Sequence, residues 1–423
     1  MEITYEKALQ LDTNDLLRDY KSQFVNDENM IYLDGNSLGK LPKQTIELTS
    51  NIVQQQWGNR LIRSWNENWM DLSSRIATKI ATIVGAREDE IFVGDSTSLN
   101  LYKLAFAALY AKPEQHKIVS DELNFPTDLY VIQGLVKHQF NNHFLELVKS
   151  DDGITIQETE IEKRLDKQTA LITLSHVAYK SAFMYNMELV NKLAYENNSL
   201  VIWDLSHAAG AVPVELNKSG ADMAVGCTYK YLNGGPGAPA YLYVRKDLQE
   251  KFANPITSWF SHQKPFDFDL NYQAIPTIHK FAVGTPNVIS MAAIEPGLDI
   301  SIEAGISKIR AKSIKQTNFM MELIEQELIP LGFTVATPKN ERIRGSHISI
   351  QHADAYRINR AMIEPQKGEK VVIPDFRPPN NIRLGIAPLY TSYSDIYQAI
   401  GRIKTIMEQK EYEKFSNEKL SVT

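Results

Sequence analysis

Lys230 has the surroundings that point most directly to chemistry. It lies in Cys227-Thr228-Tyr229-Lys230-Tyr231-Leu232-Asn233-Gly234-Gly235-Pro236-Gly237, after an apolar run and before a glycine-rich turn. Lysines at strand ends are ordinarily solvated. One set between two tyrosines and followed by flexible backbone is a better candidate for an imine with an aldehyde, which needs an amine that is desolvated and held in place. Such an imine withdraws electrons only while the ring nitrogen of the aldehyde stays protonated, and that requires an acidic neighbour. Asp204 ends the apolar run Leu200-Val201-Ile202-Trp203. Ligands of open α/β sheets sit beyond the carboxyl ends of strands, so this carboxylate is placed to meet a ring N–H. A charge-assisted hydrogen bond of that kind is worth about 1.5–3 kcal/mol and favours the protonated ring. The alternative is a plain cap, since Ser206-His207 follows and Asp is favoured at such positions. His207 is open between a structural role and a place beside the ring oxygen or the carboxylate.

Gly94-Asp95-Ser96-Thr97-Ser98-Leu99-Asn100 follows the strand-like Ile91-Phe92-Val93 and precedes the helical stretch Leu101 to Tyr110. Backbone N–H groups and hydroxyls at a helix start bind anions; the hydroxyls of Ser96 and Thr97 fit a phosphate, with an ordinary cap as the alternative. Phe125, in Phe125-Pro126-Thr127-Asp128, could cover a flat ring or simply pack in a turn. Arg383, in Asn381-Ile382-Arg383-Leu384, could grip a carboxylate with two hydrogen bonds or form an exposed ion pair. Lys180, in Val177-Ala178-Tyr179-Lys180-Ser181, is the rival amine; no carboxylate-bearing strand end precedes it at a suitable distance. Cys227, on a buried apolar run, reads as a small core residue and not a reactive thiolate. The nine histidines show no metal-ligand spacing, which argues against a metal hydrolase.

These residues need a scaffold. Short apolar runs, Ala170 to Ser175, Leu200 to Asp204, Met223 to Cys227 and Ala240 to Val244, alternate with helical stretches such as Glu188 to Asn197. The pattern predicts an α/β domain with a mainly parallel central sheet. After residue 290 the composition changes. Pro296 to Ile329 reads as helix, His347 to Gln351 as strand, Asp354 to Ile363 as helix and Pro374 to Pro379 as a loop before another strand and a last helix. This predicts a smaller α+β domain. The expected division is an N-terminal segment over 1–50 that joins the small domain, a large domain over 51–292 and the small domain over 293–423.

The whole chain is compatible with this. It has 423 residues, a net charge of −6 and 43% hydrophobic residues, enough for a large core. An acidic balance without a basic run argues against nucleic acid. One cysteine excludes an internal disulfide. No secretory leader and no apolar run of the roughly 18 residues that span a bilayer is evident, so a soluble, cytoplasmic protein is expected.

Asp204-x-x-His207 followed by Thr228-Tyr229-Lys230 resembles the cofactor core of fold-type I pyridoxal-phosphate enzymes. Longer stretches resemble the kynureninase family: Tyr32 to Gly39 (YLDGNSLG), Leu61 to Asn66 (LIRSWN), Trp203 to Ala211 (WDLSHAAGA), Tyr229 to Gly237 (YKYLNGGPG), Trp259 to His262 (WFSH) and Arg383 to Tyr390 (RLGIAPLY). The resemblance implies pyridoxal 5'-phosphate as cofactor and hydrolysis of L-kynurenine to anthranilate and L-alanine, in tryptophan catabolism. It implies Lys230 as the Schiff-base lysine, Asp204 as partner of the pyridine nitrogen and His207 beside the cofactor. Ser96 and Thr97 would hold the phosphate with help from Tyr229 and Ser175. Phe125 would stack on the ring, with Asp128 supporting that loop. Arg383 would bind the substrate carboxylate, with Ser37 and Trp65 near the substrate. Trp259 and Thr285 would come from the neighbouring subunit of a homodimer. Some family members carry His at the position of Trp65 and Asn at that of Thr285, which bears on the choice between kynurenine and its 3-hydroxy form; the indole of Trp65 suggests the plain ring.

Overall fold

A computed structural model describes residues 3–418. Met1, Glu2 and 419–423, the ends of the expected N-terminal segment and small domain, lie outside the described residues. The central sheet has the strand order Ile91–Val93, Tyr241–Val244, Met223–Gly226, Leu200–Asp204, Thr169–Ser175, Lys117–Asp121, Phe144–Val148. Among these, only Tyr241–Val244 runs against its neighbours; the rest of the sheet is parallel. The middle strands are buried on both faces, as continuous apolar runs require when helices cover both sides. The expected mainly parallel α/β sheet is therefore present.

The parallel arrangement sets the site. Gly94, Asp121, Ser175, Asp204 and Cys227 end or follow parallel strands, so the loops after them gather at one edge of the sheet. Two of these loops lead into helices. Ser96 Oγ accepts from Leu99 N at 3.3 Å at the start of helix Thr97–Tyr110. Helix Pro126–His138 begins with Pro at its first position and carries Asp128 in its first turn, both favoured there by fixed φ and by the helix dipole.

A second, antiparallel sheet has the order Asp375–Arg377, Asn381–Gly385, His347–Gln351, Thr334–Val335. Its core includes Ile348, Ile350, Ile382 and Leu384, packed with Ile396, Ile400 and Ile403 of helix Tyr393–Glu408. Residues near the N-terminus are stitched into this part. Strand Met30–Tyr32 pairs in parallel with Val371–Ile373, Gly385 N donates to Leu33 O at 2.7 Å, and the Asp12 carboxylate caps helix Tyr393–Glu408 by accepting from Tyr393 N at 2.6 Å and Ser394 N at 3.0 Å. No described helix is long and apolar enough to cross a membrane.

Two local expectations need correction. The helix expected over Pro296 to Ile329 is broken at Gly305, whose φ of 82° is in the left-handed region; helices Glu295–Ala304 and Ile306–Leu323 meet there. The loop expected over Pro374 to Pro379 contains the strand Asp375–Arg377. The prolines flank the strand and need donate nothing to its ladder, so they do not prevent pairing at the sheet edge.

Candidate active site

Lys230 projects from the turn after strand Met223–Gly226. Its Nζ lies 3.4 Å from His207 Nε2 and 5.9 Å from the centroid of the Phe125 ring. The Tyr229 ring is 5.8 Å away. His207 is buried, and both burial and the Lys230 charge hold its imidazole well below the usual range, so it is neutral.

Asp204 ends its strand, with Oδ1 accepting from Ser206 N at 2.8 Å. The helix cap foreseen as an alternative does not occur: no helix begins there, and the bond to the N–H two residues on closes a turn. Asp128 faces the same place. Burial, and next the Asp204 charge, push its carboxyl well above the usual range, while Lys230 opposes this. Two buried carboxyl groups beside one ammonium cannot both ionise cheaply, so a proton is held there. The proton held there is shared with Asp204, which is a side-chain partner of Asp128.

Ser175 is in register with Asp204 on the adjacent strand. Its Oγ donates to Asn124 Oδ1 at 2.7 Å, and the same Oδ1 accepts from Phe125 N at 2.8 Å. Ser175 therefore orients the turn that carries Phe125 and Asp128; no hydrogen bond joins it to Ser96 or Thr97 among the described residues. Ser96 and Thr97 begin the helix whose free N–H groups suit an anion. Beneath them lies Lys103, which spacing alone did not single out: it is fully buried, with Nζ 2.8 Å from Asp95 Oδ2.

Arg383 is 1% exposed, so the exposed ion pair considered for it does not occur. Asp375 stands directly across the ladder from it and forms an ion pair with its Nη2. Ser37 Oγ accepts from Nη2 at 2.8 Å, and Tyr179 O accepts from Nη1 at 2.6 Å. The Ser37 segment reaches the lysine as well, because Gly39 N donates to Tyr229 O at 2.8 Å. Asp34, Asp375 and Arg377 were not identified in the sequence as site residues. The signal for Asp375 and Arg377 was the alternation Asp375-Phe376-Arg377, hidden between prolines; that for Asp34 was its place in the stretch Tyr32 to Gly39.

Trp65 packs edge-on to Trp69 at 5.5 Å and against Phe260 at 6.2 Å. Trp69, Phe260 and Thr285 line a cavity of about 250 Å³ together with Gly94 and Asp95. Trp259, 41% exposed, lies edge-on to Phe260 at 4.4 Å. Among the described residues no hydrogen bond, ion pair or ring contact joins Trp65, Trp259 or Thr285 to Lys230, Asp204 or Arg383. The structure thus forms two groups: one around Lys230, and one opening beside the phosphate-type turn.

Lys180 is half-buried on the turn after Thr169–Ser175, and it makes no ion pair among the described residues. Burial pushes the Cys227 thiol up from its ordinary value, which disfavours a thiolate. A flat aldehyde fits the first group, which offers an amine to bind it, an aromatic ring beside that amine and buried carboxyl groups; the helix start at Ser96 and Thr97 suits its phosphate.

Comparison with known proteins shows the fold and the family. Solved structures with the same fold include a cysteine desulfurase from Thermococcus onnurineus NA1, with a TM-score of 0.81 and 18% identity over 92% of this chain and 98% of that one. Another is a variant of C-DES with glycine covalently linked to its PLP cofactor, with a TM-score of 0.78 and 14% identity over 91% of this chain and 98% of that one. These likenesses show the fold. The profile of the kynureninase C-terminal domain matches residues 309–403. The kynureninase of Pseudomonas fluorescens is 39% identical over 96% of each chain, and that of Burkholderia mallei (strain SAVP1) is 38% identical over the same shares. With identity at this level running through nearly the full length of both sequences, the chain belongs to the kynureninase family.

Proposed function

We propose that the protein hydrolyses the Cβ–Cγ bond of L-kynurenine, giving anthranilate and L-alanine, with pyridoxal 5'-phosphate attached to Lys230. The observation that carries this reading is the meeting of Lys230, His207 and Phe125 beside the Asp128 and Asp204 carboxyl groups in a chain that matches kynureninases over nearly its whole length. When bound, pyridoxal phosphate supplies an electron sink next to the substrate Cα.

The chain's own groups do the rest. Asp204 would accept from the protonated ring nitrogen, with the Asp128 carboxyl, pushed up by burial, behind it. Ser96, Thr97 and the helix start take the phosphate, and Phe125 covers one face. Neutral His207 keeps a hydrogen-bonding nitrogen beside Lys230 without adding a second positive charge. The Lys230 amine, once freed, is placed to take the proton from Cα. Tyr229 is the donor in the later steps, returning a proton to Cβ once anthranilate has left; burial, first of all, pushes its phenol up, so it keeps that proton at neutral pH. Arg383 and Ser37 orient the α-carboxylate.

The same reading assigns the division into 1–50, 51–292 and 293–423, and makes the enzyme a homodimer. Trp259 and Thr285 then complete the partner's site, which accounts for their separation from Lys230 within one chain. Ile62, 76% exposed, Phe268, 74%, and Leu270, 99%, provide apolar surface for such a contact. Mixing a Trp259→Ala chain with a Lys230→Ala chain should restore part of the activity that each lacks alone.

The direct test is absorbance and product analysis with kynurenine and added pyridoxal phosphate, alongside sulfide release from cysteine. Anthranilate without sulfide supports the reading; sulfide alone sinks it in favour of a desulfurase. Borohydride reduction and peptide mapping should find Lys230 modified, not Lys180. For the aromatic ring, Trp65 suggests that kcat/KM for kynurenine exceeds that for 3-hydroxykynurenine; the reverse order removes that role.

A further inference from the structure

Arg383 is already occupied. Its Nη2 faces Asp375 Oδ2 and Ser37 Oγ, and its Nη1 faces Tyr179 O. Its Nε is buried and has no hydrogen-bond partner among the described residues. Asp375 Oδ2 is crowded, with Ser37 Oγ donating at 2.6 Å and Arg377 Nη2 at 2.8 Å, whereas Oδ1 is buried and unpartnered. Asp34 follows Leu33, whose carbonyl accepts from Gly385 N at 2.7 Å at the end of the Arg383 strand, and it also buries an unpartnered Oδ1. Its charge is felt by the phenols of Tyr32, Tyr231 and Tyr390. Once Asp34 is ionised, two carboxylates and two guanidiniums balance before any ligand arrives. His207 and His347 face Arg383 as neutral imidazoles, held so chiefly by burial, and contribute no compensating charge.

An incoming α-carboxylate adds a third negative charge to a buried, balanced set. An uncompensated buried charge is strongly disfavoured, and neighbouring carboxylates relieve it by holding a proton. We propose that the substrate α-carboxylate takes the Nε–Nη2 edge of Arg383 from Asp375, and that Asp34 takes up one proton from solvent as this happens. Asp34 is then a positioning residue for substrate capture, and it releases the proton when alanine leaves. This rests on the reading of Arg383 as the carboxylate-binding residue of a kynurenine hydrolase.

The geometry has a pH consequence. Burial, and next Asp375, push the Asp34 carboxyl up to about 7, while the Ser37 hydroxyl, Arg383 and Arg377 pull it back. Above that pH the free enzyme has Asp34 ionised and must gain a proton to bind. KM for kynurenine should therefore rise about tenfold from pH 6 to pH 8, with kcat little changed by this group because the complex already holds the proton. In Asp34→Asn the rise should disappear, and Asp34→Glu should bring it back. An independent readout is proton uptake on adding L-alanine to the cofactor-loaded enzyme at pH 7.5, measured by calorimetry in two buffers of different ionisation heat. Wild type should take up most of one proton more than Asp34→Asn. Equal uptake, or a flat wild-type KM alongside normal kynurenine turnover, overturns the proposal; the wild-type profile decides even if the variants misfold. Asp34-dependent uptake in a protein that does not cleave kynurenine would support the role of Asp34 and overturn the substrate assignment instead.

Discussion

Lys103 Nζ sits 2.8 Å from Asp95 Oδ2 and 2.8 Å from the carbonyl of Phe281. One buried ammonium thus ties the turn that begins helix Thr97–Tyr110 to the segment that leads to Thr285. Asp95 itself adopts a left-handed φ of 56°, a conformation that persists only when its surroundings hold it. Burial pushes the Lys103 amine down from its ordinary value while Asp95 pushes it up. Lys103→Met should destabilise the fold by about 3–5 kcal/mol, the usual cost of removing one partner of a buried ion pair. It should also loosen pyridoxal phosphate binding, read by absorbance titration of the apoprotein. Unchanged denaturation and an unchanged titration would show that the pair holds neither.

Lys230→Ala should lose the imine absorbance and nearly all turnover. Tyr229→Phe keeps the ring that flanks Lys230 and removes only the phenol proton, so it should retain cofactor absorbance while kcat falls about 10²–10⁴-fold, the range for loss of a general acid. Turnover of Tyr229→Phe near wild type would remove Tyr229 from the proton-donor role.

Gly39 is where the N-terminal segment touches the lysine turn. A Cβ there would meet Asn233 Oδ1 at 2.4 Å and the Lys230 carbonyl closer still. Backbone atoms cannot step aside as a flexible side chain can, so Gly39→Ala should push Ser37 away from Arg383. The expected result is a lower melting temperature with kcat/KM reduced at least tenfold. Gly134→Ala is the control: this helix glycine has nothing within 4 Å of a built Cβ, and the change should stabilise by about 0.5–1 kcal/mol.

His176 gives an acid-stability test that is read by unfolding and not by turnover. It is buried edge-on against Trp203 at 5.8 Å, and burial lowers its pKa to about 4 from 6.5. The folded value is depressed, so its contribution is complete above pH 6.5 and is lost as pH falls towards 4, where the unfolded chain binds a proton that the folded one refuses. The loss is on the order of 3 kcal/mol. Urea unfolding of wild type and His176→Phe at pH 7.5 and 4.5 measures it: the variant should lose less stability on acidification. Equal losses would show that other groups govern acid lability.

Residue type and short-range spacing alone determined the parallel sheet, Lys230 and Asp204 at its carboxyl edge, and the Ser96–Thr97 helix start. Each is encoded within a few residues: an apolar run makes the strand, and its end fixes where the next polar side chain emerges. The same locality made Phe125 and His207 readable as candidates, though not their convergence on Lys230. Asp375 and Asp34 belong to another kind of information. Asp375 faces Arg383 because of antiparallel register between Asp375–Arg377 and Asn381–Gly385. Asp34 joins them because Met30–Tyr32 pairs with Val371–Ile373 and carries the N-terminal segment across the chain. Strand pairing between distant segments, and the low-dielectric burial it creates, decides which charges meet; no window of neighbouring residues contains that, so only the tertiary structure decided how Arg383 is held.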